Sequence, residues 1–205
     1  MRLFVAAELS EATVAELERL STELHARADA VAPHARLTWV AADRLHFTVR
    51  FIGEVDDTRA SEIALVMGPP LAVRPFQITV AGVGAFPPKG PPRVFWVGVE
   101  DGRDEMAAVE REVSARLASR GVAPEARPYT PHLTLARVRE AHGLRARDLL
   151  DGAPRGPFGV TAVDAITLFE SRLSSKGPAY VALQRTPLGG PVRLGGPEGP
   201  PLRGR

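Results

Sequence analysis

The runs "LHFTVRFIG", from Leu45, and "PHLTLARVR", from Pro131, each set a histidine two residues ahead of a threonine in otherwise apolar company. Residues two apart on a strand share a face, so alternation gives each run one side to bury and one polar side. In the first, His46, Thr48 and Arg50 fall on the polar face, and Phe47, Val49 and Phe51 on the apolar one. In the second, Leu133 and Leu135 form the apolar side and His132 and Thr134 the polar side. Ala136 comes next in that polar row and is small enough to leave room for a ligand. Arg137 is out of phase, and needs a bulge, a strand end or a long reach to join the row.

The surroundings of the two runs repeat as well. "RLFVAAEL" reads as a strand, and Ser10 as the N-cap of a helix that carries Val14, Leu17, Leu20 and Leu24 to about Ala28. "RLTWVAADRLHFTVRFIG" reads as extended, Thr58 to Met67 as a helix, and "FQITVAGVGAFP" as a strand. "PPKGPP" is a rigid connection that cannot enter a sheet interior. Then "RVFWVGVE" opens the same order again. It is followed by a helix with Met106, Val109, Val113 and Leu117 on one face, stopped near Gly121, then by the second histidine strand, a short helix over Leu144–Leu150 and further strands. "PFQITVAGVGAFP" and "PFGVTAVDAITLF" even resemble one another. A two-lobed molecule related by internal duplication accounts for this order, with one motif (46–49) in the first lobe and the other (132–135) in the second. At 205 residues the chain suffices for one such domain, taken as 1–188. The remainder, 189–205, is a Gly/Pro/Arg-rich stretch expected to be a flexible, solubilising tail.

Composition removes several function classes. With no cysteine there are no disulfides, zinc–thiolate sites or thiol nucleophiles. The apolar start before Glu8 is too short for a signal-peptide core or a membrane span, so a cytoplasmic protein with no membrane partner is expected. The net charge of +2 is small, and all the positive residues except Lys89 and Lys176 are arginines, a weak hint of an anionic partner.

A lone strand histidine is more often a packed or solvated group than a catalyst. Two in matching positions of two similar halves reverse that reading. Facing one another across a cleft, one neutral imidazole can act as general base and one protonated imidazole as general acid. The threonine hydroxyls suit non-bridging phosphate oxygens, and Arg50 and Arg137 suit the charge of a phosphoryl-transfer transition state. No carboxylate cluster adjoins either motif, so neither a metal nor a cofactor is required. The pattern fits in-line displacement at a phosphodiester. Among the other residues, Tyr129 is a candidate for stacking on a base. Trp39 and Trp96 read as core, and His25, His34 and His142 as solvated.

"MRLFVAAEL", "LHFTVRFIGEV", "GVGAFP", "PRVFWVGV", "PHLTLARV" and "ESRLSSKGPAYVAL" resemble, in order, the landmarks of the RNA 2′,3′-cyclic phosphodiesterases, or 2′-5′ RNA ligase family, of the two-histidine phosphoesterases. The resemblance runs from Met1 to about Leu188. It implies a bilobal α+β fold with pseudo-symmetric lobes, each an antiparallel sheet flanked by helices, and an active cleft between the sheets. It implies metal-independent hydrolysis of RNA 2′,3′-cyclic phosphate ends to 2′-phosphates, with reversible 2′-5′ ligation available by the same route. His46 then corresponds to the proton donor, His132 to the acceptor, and Thr48 and Thr134 to the phosphate-holding threonines. Arg137 matches the arginine after the second motif, and Arg50 lies where relatives often carry a basic residue. The implied partner is RNA with a cyclic phosphate end, tRNA fragments included, acted on by a monomer. Two other readings stay open: a phosphodiesterase for a small cyclic nucleotide or ADP-ribose cyclic phosphate, and a non-catalytic RNA-end binder.

Overall fold

The computed structural model describes residues 1–174 and 177–189. The tail expected at 189–205 therefore lies, but for Gly189, outside the described residues. The elements follow in the order β1 (Arg2–Ala7), α1 (Glu11–Val31), β2 (Arg36–Trp39), β3 (Phe47–Glu54), α2 (Asp57–Met67), β4 (Phe76–Phe86) and β5 (Val94–Val99). Then come α3 (Arg103–Ala118), β6 (His132–Glu140), α4 (Ala146–Leu150), β7 (Gly159–Val163), β8 (Ala165–Ser174) and β9 (Gly177–Pro187).

The helices form where period and caps put them. The Ser10 hydroxyl accepts from the Thr13 amide at the start of α1, a cap of about 1 kcal/mol. The buried stripe of α1 is Thr13, Leu17, Leu20, Leu24 and Ala28, so Thr13 takes the place expected of Val14. Its hydroxyl is used against Thr161 of β7, 3.1 Å away, which makes a buried threonine tolerable there. Gly159 makes room for this contact: a Cβ on it would stand 2.4 Å from the Thr13 hydroxyl oxygen. In α3 the expected face, Met106, Val109, Val113 and Leu117, is fully buried. Each such side chain contributes roughly 1.5–3 kcal/mol over leaving it exposed.

The strands build two antiparallel sheets, a four-stranded one in the order β3-β1-β8-β9 and a five-stranded one in the order β2-β6-β5-β4-β7. The fold is thus α+β with two sheets, but the lobes are not the two halves of the chain. β2 and β4, from the first half, join the second sheet, while β8 and β9 return to the first. The helices cross too: α1 packs on β7 and α3 on β3. The similar segments "PFQITVAGVGAFP" and "PFGVTAVDAITLF" part company, since the first stays in one sheet as β4 and the second splits at Asp164 between β7 and β8. Nor is "RLTWVAADRLHFTV" one extended piece. A 3-10 turn at Ala42–Arg44 separates β2 from β3 and sends them to different sheets.

Candidate active site

β3 and β6, the motif strands, touch across the two sheets. Each histidine is held the same way. His46 Nδ1 lies 2.8 Å from the carbonyl of Arg44, and His132 Nδ1 lies 2.8 Å from the carbonyl of Thr130. A carbonyl only accepts, so in both rings Nδ1 carries the hydrogen and Nε2 is left to take or give a proton. Aromatic rings fix both imidazoles from the side. Phe4 lies 5.0 Å from His46 and Tyr180 meets it edge-on at 5.3 Å. Phe86 stands edge-on to His132 at 5.1 Å, with Trp96 at 6.5 Å. Burial pushes the His46 imidazole below its usual pKa, the Arg44 carbonyl partly opposes this, and the charge of Arg137 adds to the lowering.

The residues after each threonine take their places from the ladders. Ala6 faces Thr48 and Val5 faces Arg50, so Val49 is an extra residue in β3. Trp96 faces Thr134 and Phe95 faces Ala136, so Leu135 is the extra residue in β6. Each strand therefore bulges one residue after its threonine, and the alternation resumes out of phase. Val49 and Arg50 are both buried and Phe51 is half exposed; Leu135 and Ala136 are both buried and Arg137 is exposed. Two expectations are corrected by this. Ala136 is fully buried in the core and lines no ligand space. Arg50, only 4% exposed, leaves the row of His46 and Thr48. Its guanidinium donates to the Ala123 carbonyl and stands 3.4 Å from the Glu125 carboxylate. The bulge brings Phe51 and Arg137 to the His46 side of the cleft in place of Arg50 and Ala136, and Arg50 lines the His132 side alone.

One cavity of about 620 Å³ holds His46, Thr48, Thr134 and Arg137, and another of about 490 Å³ holds His132 with the same two threonines and Arg137. The shared lining makes them adjoining parts of one cleft, with both histidines, both threonines and Arg137 around it. Residues 9–172 match the sequence model of the 2′-5′ RNA ligase superfamily. The chain belongs to that superfamily. Two of its curated relatives are RNA 2′,3′-cyclic phosphodiesterases. One, from Aeropyrum pernix, is 39% identical over 70% of this chain and 82% of its own length. The other, from Thermotoga maritima, is 32% identical over 89% and 93%. Among solved structures, TT0787 of Thermus thermophilus superposes with a TM-score of 0.72 at 28% identity, over 93% of this chain and 99% of its own. Escherichia coli LigT complexed with 3′-AMP gives 0.69 at 28% identity, over 91% and 97%.

Within this superfamily member, Tyr129 ties the lobes together. Its hydroxyl donates to the Thr48 carbonyl at 3.2 Å, so the segment before β6 is pinned to β3, and burial pushes the phenol well above its usual range. Its ring lines the His132 side of the cleft. Trp96, read as core, is instead half-buried beside His132 and lies over Gly84, where a Cβ would meet the indole at 2.2 Å. Of the histidines expected to be solvated, His34 is exposed, His142 pairs with Glu140 at 2.8 Å, and His25 stacks on Trp39. Sequence reasoning missed Phe4 and Tyr180. For Phe4 the signal was present: in "RLFVAA" alternation opposes it to Leu3 and Val5, which fill the core. Among the described residues no group of three or more His, Asp or Glu side chains is placed to hold a metal ion.

Proposed function

We propose that the chain hydrolyses RNA 2′,3′-cyclic phosphate ends, leaving a 2′-phosphate and a free 3′-hydroxyl. His132 Nε2 takes a proton from water as the oxygen attacks phosphorus in line with the 3′-oxygen. The new P–O bond forms as the P–O3′ bond breaks, and His46 Nε2 gives its proton to the departing 3′-oxygen. Thr48 and Thr134 donate to the non-bridging oxygens, and Arg137 offsets the charge that collects there. The single observation that carries the reading is the matched pair of imidazoles, each tied through Nδ1 to the carbonyl two residues before it.

The depressed pKa of His46 bears on its role. A weakly basic imidazole gives its proton readily but holds one in a minority of free molecules at neutral pH. An anionic phosphate arriving beside it raises its proton affinity again, so the acid is charged as substrate binds. With an RNA 5′-hydroxyl in place of water, the same steps make a 2′-5′ linkage. The protein works as a monomer in the cytoplasm on RNA ends such as tRNA fragments. In favour of this, one chain supplies both histidines and both threonines, and no described helix is long and apolar enough to cross a membrane.

The test is incubation, in chelator, with an oligoribonucleotide ending in a 2′,3′-cyclic phosphate. A 2′-phosphate product is expected, and a 3′-phosphate product would contradict the assigned roles.

A further inference from the structure

The two sides of the cleft carry different charge. On the His132 side Arg50, Arg127 and Arg137 are interspersed with Glu110 and Glu125. On the His46 side the described lining has four arginines, Arg2, Arg44, Arg137 and Arg139, and no carboxylate. Arg2, Arg137 and Arg139 have no ion-pair partner among the described residues, and Arg139 donates only to the Thr38 hydroxyl, at 3.3 Å. Arginines left unpaired along a groove create a field that favours a polyanion.

The same groove has a ring at its outer end. Trp39 lies on β2, the edge strand of the five-stranded sheet, and lines the His46 cavity and, with Thr38, Arg139 and the carboxylates of Asp29 and Glu140, a second hollow of about 460 Å³ beyond it. His25 of α1 stacks on the indole at 5.0 Å with the planes 25° apart, which fixes the ring's orientation. Hydrolysis of a terminal cyclic phosphate needs the two motifs and Arg137. It has no use for a braced tryptophan on the far rim or for Arg2 and Arg139. Positive charge running alongside a fixed aromatic ring is what binds single-stranded nucleic acid, phosphates on the cations and a base on the ring.

Building on the phosphodiesterase reading, we infer that the groove of Arg2, Arg139 and Trp39 receives the RNA strand upstream of the reacting end, with a base stacked on Trp39. The site is thereby selective for an oligonucleotide over a cyclic mononucleotide. The inference is tested by comparing kcat/KM for a 2′,3′-cyclic mononucleotide with that for a short oligoribonucleotide carrying the same end. Trp39→Ala lowers kcat/KM about tenfold on the oligonucleotide, through KM, and leaves the mononucleotide rate unchanged. Trp39→Phe, which keeps a ring and guards against a folding defect, restores most of the loss. Arg139→Gln weakens the oligonucleotide alone and flattens the salt dependence of its KM. Equal effects on both substrates, or none on the oligonucleotide, overturn the groove while leaving the phosphodiesterase in place.

If the wild type turns over neither substrate, the phosphodiesterase reading falls. Fluorescence anisotropy with a labelled oligoribonucleotide then decides the groove. Binding that Trp39→Ala and Arg139→Gln weaken upholds it, and no binding, or binding indifferent to both, sinks it.

Discussion

β3 and β6 share a histidine at their start (His46 directly before β3, His132 the first residue of β6), a threonine two residues on and a bulge directly after the threonine, yet they differ on both sides of that bulge. In β3 the buried position holds Arg50 and the cleft position Phe51. In β6 the buried position holds Ala136 and the cleft position Arg137. The cation has in effect changed sides of the strand. The charge of β6 faces the cleft, where the proposed reaction places the phosphate, and that of β3 holds the segment before β6 through Ala123 and Glu125. The shared features are those the proposed chemistry needs twice, a proton site and a phosphate donor. The features that differ are those a single phosphate needs once.

The largest losses are expected at the positions the two strands share. His46→Ala and His132→Ala are each expected to lower kcat by about a thousandfold with an unchanged melting temperature. Near-normal turnover by either would end the two-histidine mechanism. Next comes Arg137→Gln, expected to cost about a hundredfold in kcat. Because the charge of Arg137 helps depress His46, the variant also moves the His46 imidazole titration, followed by NMR, to higher pH. A titration that stays put would separate the two residues. Thr48→Ala and Thr134→Ala should each lose about tenfold, the value of one hydrogen bond to a charged oxygen. Unequal losses would show that the phosphate sits nearer one strand.

The smallest effect is expected at Arg50. Arg50→Met removes a guanidinium whose Nε and one terminal nitrogen are buried without a hydrogen bond, and leaves Glu125 largely in water. Turnover should stay within about twofold and the melting temperature within a few degrees. A large loss of kcat in a well-folded Arg50→Met protein would return Arg50 to the phosphate.

Much of this was legible in the chain. Period two placed His46 with Thr48 and His132 with Thr134, and period three to four placed Leu17, Leu20 and Leu24 and the whole buried face of α3. The bulges were not legible. Val49 and Leu135 are ordinary strand residues, and what makes them extra is the ladder to β1 and β5, a relation between distant segments. Alternation read past them therefore misplaced Arg50 and Ala136 while correctly finding Arg137 out of phase. Strand exchange escaped for the same reason: nothing local in "FQITVAGVGAF" says that it pairs with "VFWVGV" and not with its own half. The place of Trp39 in the cleft lining was not legible either, because an apolar strand-like run reads as core.

The crossing of strands between sheets has a consequence for how the molecule comes apart. A cut in the connection between β4 and β5 would leave one fragment with His46 and the other with His132, and each with strands of both sheets. Neither piece would own a complete sheet to fold upon. Activity should return only when the two are refolded together, so the unit that assembles is the whole weave and never a lobe.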